Sequence, residues 1–355
     1  MKKLLFNEYF WFSLLSLTML ILSFIPFFYQ VWVTPKGSIS YLLHNNLFDF
    51  PMFVSVIRQA QEGHLTQVQR LTSEPQFGTW IHLFYLVVGW ITGPFSIEPA
   101  VAYHLSRFVT GFLLLFVFYV FIKLFFKDKF TRLCVFFLTV FAGGFPNIKY
   151  DQKFYLIEWP FMGFFTGFDV VRRATFLPHG MMRDILFLAV MIFWIKLLAT
   201  KRKIFLWLAV FAGFFLGFHS PAHSLIIYVI FGLLTAVLFW KDLIAKNGFS
   251  NSVKNLINYL VYALLTISSS IYIYWAFEVT PWKTVKDWEA PQHPIFPFSE
   301  YALGVGPLFF LGLPTAIYFL VKLLRFILKN IFYIIKKMPV VYNLKFVKYY
   351  FLLMV

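Results

Sequence analysis

Charge is scarce in this chain, and acidic charge is scarcest. Of its 355 residues only 13% are Asp, Glu, Lys or Arg, against roughly 25% in a soluble domain. A water-facing surface cannot be built at that density, so a soluble fold is excluded. Cysteine is nearly absent: Cys134 stands alone in an apolar run. That excludes an intrachain disulfide and any cysteine-rich metal site. No Walker loop, Rossmann glycine pattern or nucleophile elbow occurs, and no internal repeat, low-complexity tract or soluble domain.

What fills the chain is apolar: 60% hydrophobic and 23% aromatic residues, with a mean hydropathy of +0.75. The expected fold class is all-α, a polytopic transmembrane helix bundle forming a single transmembrane domain over residues 1–355. The first run, Phe10 to Val33, follows Lys2 and Lys3 but is long and has no small-x-small cleavage site, so it reads as an uncleaved span. Later runs cover roughly Phe77–Trp90, Val101–Phe126, Leu133–Phe145, Ile185–Leu198, Ile204–Phe218, Ser224–Trp240, Leu256–Phe277 and Tyr301–Leu324. At about 20 residues per crossing these give about eight or nine spans. The 50 phenylalanines face lipid or pack between helices. The chain ends inside Tyr349-Tyr350-Phe351, which reads as the start of a further span, so a fragment or a short C-terminal portion is expected.

Lys and Arg number 31 against 15 Asp and Glu, a formal charge of +16. In a soluble protein that excess would suggest nucleic acid. Here the lysines lie between apolar runs, the pattern that orients spans, so the expected partners are the lipid bilayer and phosphate-bearing lipids rather than nucleic acid. Basic clusters at Lys123–Arg132, Lys196–Lys203, Lys241–Lys254 and Lys322–Lys329 are expected on the cytoplasmic side. Outer loops are then expected at 34–76, 146–183 and 278–300, in a multi-pass protein of the plasma membrane. One conflict arises. If Phe77–Trp90 and Val101–Phe126 both cross, the Lys123–Arg132 cluster falls outside; Gly93, Pro94 and Pro99 point to a broken or re-entrant segment instead.

The first outer loop concentrates polar chemistry. After Asp49, the residues Phe50, Phe53, Val54 and Ile57 fall at i, i+3, i+4 and i+7, one apolar stripe. Arg58, Gln59, Gln61 and Glu62 take the other side and Gly63 is a natural stop. The expectation is an interfacial amphipathic helix with its stripe in lipid. Asp49 at its start is a candidate base for an acceptor hydroxyl, or a helix cap. Glu74, ahead of Pro75, is a candidate for holding a sugar hydroxyl, an arginine or a divalent cation, or is a solvated loop acid. His82 is a candidate ligand contact or a hydrogen-bonded core residue. In the second loop Arg172, Arg173 and Arg183 are candidate clamps for a phosphate, with Arg107 if it faces the same side, and Asp151 is a candidate for orienting an acceptor or a cation. Salt bridges to Asp169 and Asp184 are the structural alternative. His219 and His223 have zinc-compatible spacing, but no glutamate follows His219 and Pro221 interrupts the run. The readings left are a short outer turn lining a polar cavity, where a histidine touches sugar or phosphate, and a plain structural turn.

The order of these features resembles the GT-C superfamily of integral-membrane glycosyltransferases, such as the protein mannosyltransferases and aminoarabinose transferases. The resemblance rests on Asp49 with Arg58, Gln59 and Gly63, on Thr72-Ser73-Glu74-Pro75 leading into Trp80–Gly89, and on Tyr103-His104-Leu105-Ser106-Arg107. Phe176-Leu177-Pro178-His179-Gly180 and Gly217-Phe218-His219-Ser220-Pro221-Ala222-His223 extend it. It implies a polyprenyl-phosphate sugar donor, transfer to a glycan, lipid or protein acceptor on the outer face, Asp49 as catalytic residue, and His179 among the substrate contacts. A transporter or flippase for a lipid-linked glycan, and a non-catalytic membrane scaffold, are the alternatives. Charges gathered in loops rather than mid-span favour the enzyme.

Overall fold

The computed structural model describes residues 7–44, 49–145, 147–151, 154–158, 177–245, 250–292 and 297–337. The protein is helical. In chain order the helices are α1 (Glu8–Val33), α2 (Asp49–Gln61), α3 (Leu83–Thr92), α4 (Pro99–Phe125), α5 (Lys129–Phe141), α6 (Pro178–Thr200), α7 (Ile204–His219), α8 (Pro221–Ala245), α9 (Ser250–Ala276), α10 (Trp282–Glu289), α11 (Phe298–Val305) and α12 (Pro307–Lys337). The second loop adds one antiparallel hairpin of β1 (Asn147–Asp151) and β2 (Phe154–Glu158), with Asn147 opposite Glu158 and Asp151 opposite Phe154. Its Ile and Tyr residues suit a pleated pair.

Local chemistry sets the helix starts. The Asn7 side chain accepts the Tyr9 N–H at 2.9 Å, Glu98 accepts that of Val101 at 2.8 Å ahead of Pro99, and Asp128 accepts that of Thr131 at 2.7 Å. Hydrogen bonds to the ionised form hold the exposed Asp128 carboxyl below its usual range. Four helices are long and apolar enough to cross a membrane: α1, α4, Pro221–Trp240 within α8, and Ser252–Ala276 within α9; α11 and α12, bent by 109°, make a fifth if they count as one span. This is a multi-pass membrane protein.

Three of the expected crossings fall in helices shorter than a bilayer, Ile204–Phe218 in the 16-residue α7 among them. The run Phe77–Trp90 supplies only the 10-residue α3, about 15 Å at 1.5 Å per residue, half of a roughly 30 Å hydrocarbon core. Its first residues are spent elsewhere, since Thr79 exchanges backbone hydrogen bonds with Gln67 at 2.9 and 3.0 Å, and a 3-10 turn at Gly93–Phe95 closes it. The run Leu133–Phe145 falls in the 13-residue α5.

Contacts between helix ends order the bundle. Arg132 binds both carboxylate oxygens of Glu8, at 2.8 and 2.6 Å, and the Tyr119 hydroxyl also donates to Glu8. This joins the start of α1 to the end of α4. At the other end Arg107, near the start of α4, reaches the Ser23 carbonyl of α1 at 3.3 Å. The two helices are therefore antiparallel, and the conflict over Lys123–Arg132 disappears because α3 does not traverse. Lys203, at the start of α7, donates to Asn258 near the start of α9 at 2.6 Å. The basic clusters around Arg132 and around Lys203 thus each sit where helices begin or end, away from the histidines described below.

Four buried clusters hold the described residues together, one of them joining α1, α4 and α5 through Phe12, Leu115 and Phe136. Phe50, Phe53, Ile57, Tyr85, Leu86 and Tyr103 join α2, α3 and α4. Trp194, Leu216, Phe231 and Tyr262 join α6, α7, α8 and α9, with Trp194 stacked on Phe231 at 4.1 Å. Small residues permit close approach: a Cβ on Gly217 would overlap Ser269, and one on Gly213 would press on the Tyr262 ring, as expected where helices associate by packing rather than water exclusion.

Candidate functional site

Helix α2 forms where the sequence places it, with Asp49 in its first turn and Gly63 beyond its end at φ +92°. Its apolar stripe, however, faces protein and not lipid. Phe50, Phe53 and Ile57 are buried against α3 and α4, and α2 lies so close to α3 that a Cβ on Gly89 would overlap the Ile57 carbonyl. Gln59, expected on the wet side, is buried as well. Its side chain accepts the Val68 N–H at 2.9 Å and donates to the Val68 carbonyl at 3.0 Å, a strand-like pairing that satisfies both groups. Gln61 donates to the Ile97 carbonyl at 2.8 Å. Trp80 and Trp90 Nε1 donate to the Leu65 and His64 carbonyls at 3.0 and 2.9 Å. These contacts fold the first loop onto the helix ends.

The helix platform carries three near-parallel rings. Phe53 stacks on Tyr85 at 4.5 Å and 23°, and Tyr85 lies over Tyr103 at 5.8 Å and 15°. Around this floor the histidines gather. The Tyr85 hydroxyl shares a hydrogen bond with His179 Nδ1 at 2.8 Å, and that of Tyr103 shares one with His44 Nδ1 at 3.0 Å. The His82 ring lies 6.5 Å from His179 and 5.4 Å from Trp282. Asp49 acts electrostatically on Tyr85 and Tyr103, so the carboxylate sits by the same floor. His179 lies within electrostatic reach of His82, His219 and Arg183.

Two of these rings present orphan nitrogens. His219 Nδ1 lies 2.8 Å from the Phe215 carbonyl, which makes Nδ1 the donor and leaves Nε2 a lone-pair acceptor in the neutral ring. That Nε2, and the Nε2 of His82, are buried and have no hydrogen-bond partner among the described residues. Burial pushes the His82 imidazole down to about 4, so it is neutral at pH 7. Buried polar atoms left unpaired cost roughly 1–3 kcal/mol each and call for a ligand or a water.

His219 also borders an apolar cavity of ≈ 520 Å³. Leu83 and Val87 of α3, Leu105 and Val109 of α4, Leu186 of α6 and Phe211 of α7 line it. Polar cluster and greasy cavity therefore meet at one side chain.

The remaining sequence candidates fall as follows. Arg183 pairs with Asp184 at 2.8 Å and acts on His179, His219 and His223. His223 turns away from His219, its Nδ1 sharing a hydrogen bond with Ser220 at 2.8 Å. Arg107 is 1% exposed; it lies 4.0 Å above the Phe24 ring and 3.1 Å from His104 Nδ1, in the seam between α1 and α4. Glu74 is exposed in a turn where Thr72 accepts its N–H at 3.3 Å, and no contact joins it to the histidines among the described residues. Asp151 ends β1. Arg172 and Arg173 lie outside the described residues. No group of three or more His, Cys, Asp or Glu is arranged to hold a metal among the described residues.

Tyr85 escaped the sequence reading. It sits within an apolar run, and only its hydroxyl, beside Phe84 and Leu86, distinguished it. Comparison of the chain with protein-family models, curated proteins and solved structures finds no match.

Proposed function

We propose that the protein is a membrane glycosyltransferase of the GT-C type, moving a sugar from a polyprenyl-phosphate donor to an acceptor hydroxyl. The observation that carries this reading is the junction at His219. An apolar cavity of ≈ 520 Å³ ends at His219, which shares an electrostatic neighbourhood with His179 and Arg183, and a greasy space ending in polar groups is the division of chemistry that a lipid-linked phosphosugar requires.

In this reading the prenyl chain lies in the cavity and Arg183 holds the phosphate. The Nε2 atoms of His82 and His219 receive sugar hydroxyls. Asp49 takes the proton of the acceptor hydroxyl as its oxygen bonds to the anomeric carbon. The carbon–oxygen bond to phosphate breaks, and the phosphate leaves with the electron pair beside Arg183. The histidine end faces outward, because the Lys and Arg clusters at the opposite helix ends mark the cytoplasmic side. The 23-residue α6, about 34 Å long, crosses as well, its three charges lying near its ends, with the shorter α7 packed beside it.

The test is Asp49→Asn in purified protein given a polyprenyl-phosphate sugar. Transfer is expected to fall by at least about a hundredfold, the range of general-base catalysis, with the folded protein retained. Full activity of that variant refutes the assignment. Arg107, a buried cation inside α4, is the one feature that favours a flippase. Movement of an intact lipid-linked sugar across proteoliposomes, without cleavage, would support that second reading.

A further inference from the structure

A second cavity lies on the other side of the seam between α4 and α6. Its volume is ≈ 420 Å³, and its walls are Met19 of α1, Phe118 of α4, Val140 of α5, Phe187 of α6 and Ile226 of α8. Helix periodicity separates the two spaces. On α6, Met182 and Leu186 face the first cavity, while Asp184, Phe187 and Leu188 face the second. These two sets, each at i, i+3 or i+4 spacing, lie on opposite sides of one helix.

The polar groups differ in kind. The first cavity ends at His219, within reach of the Arg183 charge. The second carries Asp184 and His223 among its lining residues. Arg183 Nε engages only Oδ1 of Asp184, at 2.8 Å, so Oδ2 has no hydrogen bond among the described residues. A carboxylate repels a phosphate and accepts from a hydroxyl. The Arg183 charge acts on His219 and His223 alike, whereas Asp184 lines only the second cavity, so it is the carboxylate that sets the two apart.

We propose that the second cavity binds a neutral lipid with a hydroxyl head group, distinct from the acceptor whose proton Asp49 takes. The hydroxyl donates to Asp184 Oδ2, His223 lies beside it, and one acyl chain runs between Phe118, Phe187 and Ile226. This binding does not depend on the transferase reading.

The experiment uses the full-length protein in detergent micelles with a diazirine-bearing diacylglycerol, and a diazirine-bearing phosphatidylglycerol as the anionic counterpart. Diacylglycerol is expected to crosslink to residues on α4, α6 or α8 that line this cavity, at least fivefold more than phosphatidylglycerol. Ile226→Trp and, separately, Leu188→Trp fill the cavity and are expected to reduce that crosslinking at least fivefold. Asp184→Asn is expected to narrow the preference over the anionic lipid to under twofold. Labelling that survives both tryptophan variants, or that is equal for the two lipids in the native protein, overturns the proposal. A tryptophan variant that fails to fold leaves the other, and the lipid preference of the native protein, to decide. Crosslinking without sugar transfer under any donor would sink the transferase reading alone; transfer without crosslinking would sink this one alone.

Discussion

The ion pair between Glu8 and Arg132 offers the sharpest test of how the bundle is ordered. The side chains are only 13% and 14% exposed, and the guanidinium engages both carboxylate oxygens. Removing one partner strands the other charge in a poorly hydrated site, which costs about 3–5 kcal/mol. Arg132→Met should therefore destabilise by about that amount, because Glu8 then keeps only the Tyr119 hydroxyl. Glu8→Gln should cost less than Arg132→Met, since an amide still accepts from Arg132 and Tyr119. Replacing both, as Glu8→Leu with Arg132→Met, removes the desolvated charges together. That change should be close to neutral, within about 1–2 kcal/mol of the native protein. The measurement is a double-mutant cycle on unfolding in mixed micelles, with a coupling energy of at least about 2 kcal/mol expected. Additive effects would show that the pair is solvated and does not align α1 with α4. The functional consequence follows from geometry: sliding α1 moves the Ser23 carbonyl away from Arg107.

Further outcomes follow from other contacts. Gly89→Ala should destabilise by about 1–3 kcal/mol and lower any sugar transfer, because the new methyl meets the Ile57 carbonyl and Ala60 and pries α2 from α3; thermal unfolding in detergent reads it. His82, held down to about 4 against an ordinary 6.5, takes up its proton in the unfolded chain first. Stability is then flat above pH 6.5 and falls as pH drops from 6.5 towards 4, by about 3 kcal/mol in all, and His82→Gln should remove that component of the slope. Sidedness is accessible because Cys134 is the single cysteine. In a Cys134→Ser background, a membrane-impermeant maleimide applied to whole cells should label Arg70→Cys but not Lys127→Cys. Labelling of Lys127→Cys alone would reverse the proposed orientation, and labelling of both would refute the opposite sidedness of the two loops.

The sequence by itself determined the solvent. Few charges and long apolar runs leave no way to make a water-facing surface, and that holds for any arrangement of the helices. It also located α2, because a 3.6-residue stripe and a terminal glycine are local properties. What covers the stripe is not local. Phe50, Phe53 and Ile57 gain as much from protein as from lipid, and only the approach of Gly89 shows that α3 fills the space. The failure of Phe77–Trp90 to cross is equally tertiary: its hydropathy suits a span, but Thr79 pairs with Gln67 and shortens the helix. His82, His179 and His219 are isolated polar residues when read along the chain, each consistent with an ordinary buried histidine. Their convergence beside Asp49 arises because α2, α3, α6 and α7 bring their ends together. Distance along a polypeptide carries no information about which helix ends will meet.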